Sequence, residues 1–178
     1  MVKNIDLLKF PVGKFKEPAI IDESHIKNWI KIIKDFPHQL KQETSNLSEN
    51  ELEKTYRPDG WTIRQLVNHC ADSHMNSLIR FKLALTENTP IIKAYHEDLW
   101  AEMSDSKFFP IQSSIKILEG VHERWVNLLE NLTEKEMNMS YIHPDSKEVI
   151  SIKTNIGIYA WHCEHHLNHI VIAKKMKF

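Results

Sequence analysis

Four stretches of this chain repeat apolar residues at intervals of three and four, and glycine is scarce, with four in 178 residues. That periodicity is the signature of amphipathic helices. A sandwich or a nucleotide-binding sheet would need far more glycine at its turns, and neither GxGxxG nor GxxxxGK[ST] occurs. The expected fold is therefore all-α, a four-helix bundle in a single domain over residues 1–178.

The first 20 residues, with Pro11 and Pro18, read as an irregular arm. The first helix is expected after Asp22 or Ser24, with Ile26, Trp29, Ile30, Ile33 and Phe36 on one side. Pro37 falls inside that pattern and predicts a kink or a break. A short helical turn over 48–54 and a turn at Arg57-Pro58-Asp59-Gly60 follow. Thr62 and Gln65 have the spacing of a capping box, which opens a second helix running to about Thr86. Residues 91–110 form a long crossover with one short helix near 97–103. The third helix spans about 112–131, with Ile115, Leu118, His122, Trp125, Leu129 and Leu132 in its seam. A small β-hairpin, 139–143 and 148–152 around Pro144-Asp145-Ser146-Lys147, precedes a last helix over about 154–175.

Charge narrows the functional classes. Lysine and arginine (23) almost balance aspartate and glutamate (24), so no strong field attracts nucleic acid or an anionic membrane. There is no apolar run of membrane-spanning length and no secretory leader pattern, which together predict a cytoplasmic protein. Cys70 and Cys163 fall inside helical segments, where a buried free thiol is the usual outcome.

The histidines carry the chemical signal. There are eleven, and His162, His165, His166 and His169 crowd into WHCEHHLNHI. On a helix, residues four apart stand one turn apart on one face, so the nitrogens of His162 and His166 can converge on one ion. Glu164, Asn168 and Lys175 lie on the opposite, wet side. His165 points to the flank, and His169 lies near His162. A third ligand must come from another helix. His69, His74 and His122 are the candidates on spacing alone: His69 lines up with Ser73, Asn76 and Arg80 on a polar shoulder, His74 falls in the apolar centre, and His122 replaces an apolar seam residue.

The strings GWTIRQLVNHCADSHMNSLIRFKLALTENTP, HERWVNLLENLT, YIHPDSKEVISI and GIYAWHCEHHLNHI resemble the YfiT group of the DinB superfamily, a likeness that begins at the KFPVGKFK arm and reaches the last helix. The resemblance implies a four-helix bundle of up-down-down-up arrangement and a homodimer. It also implies one divalent metal per chain, Zn²⁺ or Ni²⁺, held by His69, His162 and His166. The activity it implies is that of a metal-dependent hydrolase on a small molecule. A bacillithiol-type thiol S-transferase and a non-catalytic metal-binding stress protein are the alternatives. Arg80 is the expected substrate anchor. Trp61 and Trp161 are expected in the core or cleft wall, and Tyr141, His143 and Asp145 at a cleft rim. Asp72 and Glu123 are expected as solvated charges.

Overall fold

The computed structural model describes residues 5–176. Its long helices are α2 (Glu23–Thr44), α4 (Ile63–Thr86), α7 (Gln112–Glu130) and α9 (Ile152–Lys175), with short helices α1 (Ile5–Lys9), α3 (Glu49–Leu52), α5 (Glu97–Ala101), α6 (Ser104–Phe108) and α8 (Glu134–Met137) between them. Strands β1 (Ser140–Ile142) and β2 (Val149–Ser151) pair antiparallel, Tyr141 opposite Ile150.

Side-chain pairs between the long helices fix their directions. Lys34 reaches Glu130 and Lys41 reaches Glu119, so α2 and α7 are antiparallel. Asn68 meets Ser114 and His74 meets His122, which makes α4 and α7 parallel. His69 faces His162 and Ser77 faces Asn155, so α4 and α9 are antiparallel. Trp29 lies on Gly157 and Glu43 pairs with Lys174, so α2 and α9 are parallel. The arrangement is thus up-down-down-up. Two consecutive parallel helices, α4 and α7, demand a connection that returns the full length of the bundle, and residues 87–111 supply it.

Local chemistry explains the boundaries. Thr62 accepts from the Gln65 backbone at 3.1 Å while the Gln65 side chain accepts from Thr62 N–H at 3.0 Å. The Nε2 of Gln65 also donates to the Ala101 carbonyl at 2.8 Å, which pins the chain where α5 ends. The short helix expected near 97–103 is α5, and a second one, α6, follows it. Asn68 then holds α6 through the Ser106 carbonyl at 3.0 Å. The last helix begins at Ile152, two residues early, because Ser151 caps it by accepting from Thr154 N–H at 3.1 Å. Within the arm read as irregular, α1 forms a single turn and buries Leu8; the arm's first four residues lie outside the described ones.

Pro37 neither breaks nor divides α2, which runs unbroken through it. The core gathers Ile33, Phe36 and Leu40 of α2, Ile63, Leu66, Val67 and Phe81 of α4, Leu118, Trp125 and Leu129 of α7, and Ile156 and Ile170 of α9. Among the described residues no helix is long and apolar enough to cross a membrane.

Candidate metal centre

His69 sits in the second turn of α4, and His162 and His166 lie one turn apart in the middle of α9. Because α4 and α9 are antiparallel neighbours, the three rings meet. One nitrogen from each lies within 4.8 Å of the others. The Nε2 atoms of His69 and His162 are 3.2 Å apart. Two nitrogens bound to one zinc at 2.0–2.1 Å in a tetrahedron stand roughly 3.3 Å apart, so this spacing suits a shared ion.

The donor chemistry fits as well. Burial holds the His69 imidazole down at about 4, helped by the neighbouring His165. Burial and the adjacent histidines hold His162 and His166 well below the usual histidine range. All three are neutral at pH 7, so lone pairs face the centre with little competition from protons. Glu164, between the two α9 ligands in sequence, is exposed on the far side of the helix.

The rings form the floor of a cleft of about 450 Å³. Its walls are Trp61, Ser73, Tyr159 and Trp161 from the bundle, Ala94, Tyr95 and Glu97 from the crossover, and His143 and Asp145 from the hairpin. The rim is assembled by the backbone. Ile92 N–H donates to the Ile142 carbonyl at 3.1 Å, and Ile142 N–H donates to the Pro90 carbonyl at 2.9 Å. Arg80 lines the same cleft, as its alignment with His69 predicts. Tyr141 does not: it is buried in the core, one residue away from the rim. Asp72 is half-buried rather than solvated, and burial next to Asp105 pushes its carboxyl up to about 6. Glu123 is exposed, as expected.

Three buried nitrogens on cleft residues have no hydrogen-bond partner among the described residues: Arg80 Nε, His143 Nδ1 and His165 Nδ1. Buried polar atoms are rarely left so. All three belong to residues that line this one cleft.

Of the two extra histidines, His169 is engaged elsewhere. His169 spends Nε2 on the Leu8 and Lys9 carbonyls, at 3.1 and 3.2 Å, and stacks on Tyr56 at 3.8 Å. His165 is buried rather than flanking, stacked on Trp161 at 4.5 Å. Two contributors went unread in the sequence. Tyr159, whose hydroxyl donates to the Ser73 carbonyl at 3.1 Å, packs its ring beside His162. Glu97 reaches the rim only because the crossover folds back.

Known proteins share the sequence and the fold. The family model described as the DinB superfamily matches residues 33–170. The chain belongs to the DinB superfamily. It is 42% identical over 170 residues to "Putative metal-dependent hydrolase YfiT" of Bacillus subtilis (strain 168), covering 95% of this chain and 96% of that protein. A similarly named Bacillus cereus (strain G9842) protein is 45% identical over 168 residues, covering 94% and 96%. The solved structure of B. subtilis YfiT, described as having an unusual four-helix bundle topology, superposes with a TM-score of 0.92 at 40% identity. That match covers 97% of this chain and 99% of that one.

Proposed function

We propose that the protein is a metal-dependent hydrolase of a small polar molecule, with one Zn²⁺ or Ni²⁺ per chain held by His69, His162 and His166. The observation that carries this reading is the meeting of three neutral imidazoles at the floor of a cleft whose wall holds unpartnered polar nitrogens. A divalent ion at that point supplies Lewis acidity, which brings bound water or a thiol toward ionisation at neutral pH. Arg80 anchors an anionic group of the substrate through its guanidinium. Glu97 and Asp145 are the carboxylates on the cleft wall and the candidates for moving a proton. Trp61 and Trp161 flank the ligands and keep the floor dry.

A thiol S-transferase is the second reading. Its support is that the hydrogen-bond partners found for the three ligands are other histidines and Ser73, with no carboxylate base in contact. A thiol ionised by a metal needs no such base. For a non-catalytic metal-binding stress protein the closing fourth ligand would be His165 or His169, and of these His169 is already engaged with backbone carbonyls.

A cytoplasmic setting suits the two buried free thiols, Cys70 and Cys163. A homodimer is also proposed. Leu99, Met103, Phe108 and Phe109 leave 61%, 56%, 75% and 55% of their surface exposed along the crossover, more apolar surface than a monomer gains from.

The test is metal content by plasma mass spectrometry on untagged protein and on His162→Ala, followed by parallel hydrolysis and thiol-transfer screens. About one ion per chain, lost in the variant, supports the centre. Absence of metal from the wild-type protein after incubation with zinc would remove the enzyme reading.

A further inference from the structure

Pro37 has no N–H, so the carbonyl of Ile33, one turn earlier in α2, lacks its helical donor. That carbonyl accepts instead from His122 of α7, whose Nδ1 lies 2.6 Å away. This contact fixes the position of every proton that follows. A carbonyl only accepts, so His122 carries its proton on Nδ1 and offers a lone pair at Nε2. That lone pair is 2.6 Å from Nδ1 of His74, which must therefore be protonated. His74 in turn offers Nε2, 3.0 Å from Nδ1 of His162. The proton on His162 is thus set on Nδ1, and its Nε2 is left as a lone pair on the side facing His69.

The same logic reaches His166 from the other end of the molecule. His169 donates Nε2–H to the carbonyls of Leu8 and Lys9, which leaves a lone pair at its Nδ1. That atom is 3.4 Å from Nδ1 of His166, so His166 also carries its proton on Nδ1 and directs a bare Nε2 inward. His74 and His122 are buried in the core, and each is hydrogen-bonded through both ring nitrogens. A neutral imidazole is one donor and one acceptor, which is what such a chain requires.

We propose that His122 and His74, acting through His162, and His169, acting through His166, are positioning residues that set the tautomer of both α9 ligands and aim their Nε2 atoms at the metal ion. Metal-ligating histidines ordinarily have their second nitrogen held by a carboxylate or a carbonyl. Here histidines stand between ligand and carbonyl, and Pro37 frees the carbonyl that ends the longer chain. The grouping of His165, His166 and His169 is then an orienting cluster for one ion and not a second metal site.

The proposal rests on the triad's holding a metal, and its test separates the two. Nitrogen-15 spectra of the metal-free wild-type protein, recorded through long-range couplings to the ring protons, report each tautomer without any metal. The expected result is Nδ1–H at His74, His122, His162 and His166, and Nε2–H at His169. Nε2–H at either His162 or His166 would overturn the proposal. Zinc affinity by chelator competition is the second readout. His122→Leu removes the acceptor and should weaken binding about 10- to 100-fold, whereas His122→Gln, which can accept from His74, should stay near wild type. A folded His122→Leu protein that binds zinc as tightly as wild type would sink the idea, as would two tightly bound ions per chain. If His122→Leu does not fold, the wild-type spectra decide. A wild-type protein with the expected tautomers but no affinity for zinc would remove the metal reading alone.

Discussion

The Nε2 atoms of His69 and His162 approach to 3.2 Å although their helices run in opposite directions and the residues are 93 apart in sequence. Two imidazole lone pairs facing each other at that distance repel, so the metal-free protein must place a proton between them. An ion that displaces the proton exchanges one hydrogen bond for two coordinate bonds, and binding then adds to fold stability.

Zinc at a hundredfold excess over its dissociation constant should stabilise the protein by about 2.7 kcal/mol. For a chain of this size that corresponds to roughly 5–10 °C in melting temperature. His69→Ala and His166→Ala should each abolish the shift. Scanning calorimetry with and without zinc gives the answer, and an equal shift in His69→Ala would exclude it as a ligand.

Acid should destabilise the metal-free fold over a defined window. His122 is held at about 4 in the folded protein, mainly by burial, against an ordinary value of 6.5. Above pH 6.5 neither state binds the proton and the contribution is fully present. Between pH 6.5 and 4 the unfolded chain takes up a proton that the folded chain refuses, so stability falls as pH falls. At about 1.4 kcal/mol per pH unit, His122 alone accounts for on the order of 3 kcal/mol. Urea midpoints of chelator-treated protein should drop steadily from pH 7.5 to 4.5; constant midpoints would contradict this.

Gly157 of α9 lies against the Trp29 ring of α2. A Cβ there would meet Cη2 of Trp29 at 2.9 Å, with two more ring atoms at 3.0 Å. Helix propensity alone would favour replacing the glycine, by up to about 1 kcal/mol. The clash should outweigh it: Gly157→Val should cost about 2 kcal/mol net. Chemical denaturation of Gly157→Val and of the double variant with Trp29→Ala checks the cause, since the double variant should recover most of the packing loss.

Arg80→Gln should leave metal content unchanged while lowering kcat/KM for an anionic substrate at least about tenfold, because a charged hydrogen bond is lost. The whole effect should lie in KM if the guanidinium only anchors. Loss of metal from this variant would show that Arg80 supports the centre and does not anchor substrate.

Sedimentation equilibrium should find a dimer that the double variant Phe108→Ser, Phe109→Ser converts to a monomer with the same helical content. A wild-type monomer at high concentration would leave these exposed rings without that role.

Much of the fold was legible because its signals are local. The Thr62–Gln65 box, the three-four seams and the hairpin turn all act within a few residues. Thr133 and Glu136 form the same box, 2.7 Å from Thr133 N–H to the Glu136 carboxylate, and the rule that found α4 would also have found α8. The His162–His166 pair was equally legible, since one helix turn makes it. The third ligand was not: spacing left His69, His74 and His122 open, and the family resemblance selected His69. The structure shows why all three looked suitable. His74 and His122 both lie on a line of contacts that ends at His162, but those contacts span 88 and 48 residues in sequence and exist only once three helices pack. Of the kink or break that Pro37 predicted, the break does not occur: α2 runs unbroken through it. A proline inside a helix costs a hydrogen bond, and the sequence near it does not reveal that His122 restores one.

The parallel course of α4 and α7 has one more consequence, for how such a scaffold could diversify. The ligands stand on helices whose positions are fixed by the core, whereas Ala94, Tyr95 and Glu97 stand on the strand of chain that must travel back along the bundle. Length and side chains in that return path can change without moving a single metal ligand. In the proposed reading the helices carry the chemistry and the return path carries the choice of substrate, so new substrates become accessible by editing a connection instead of a core.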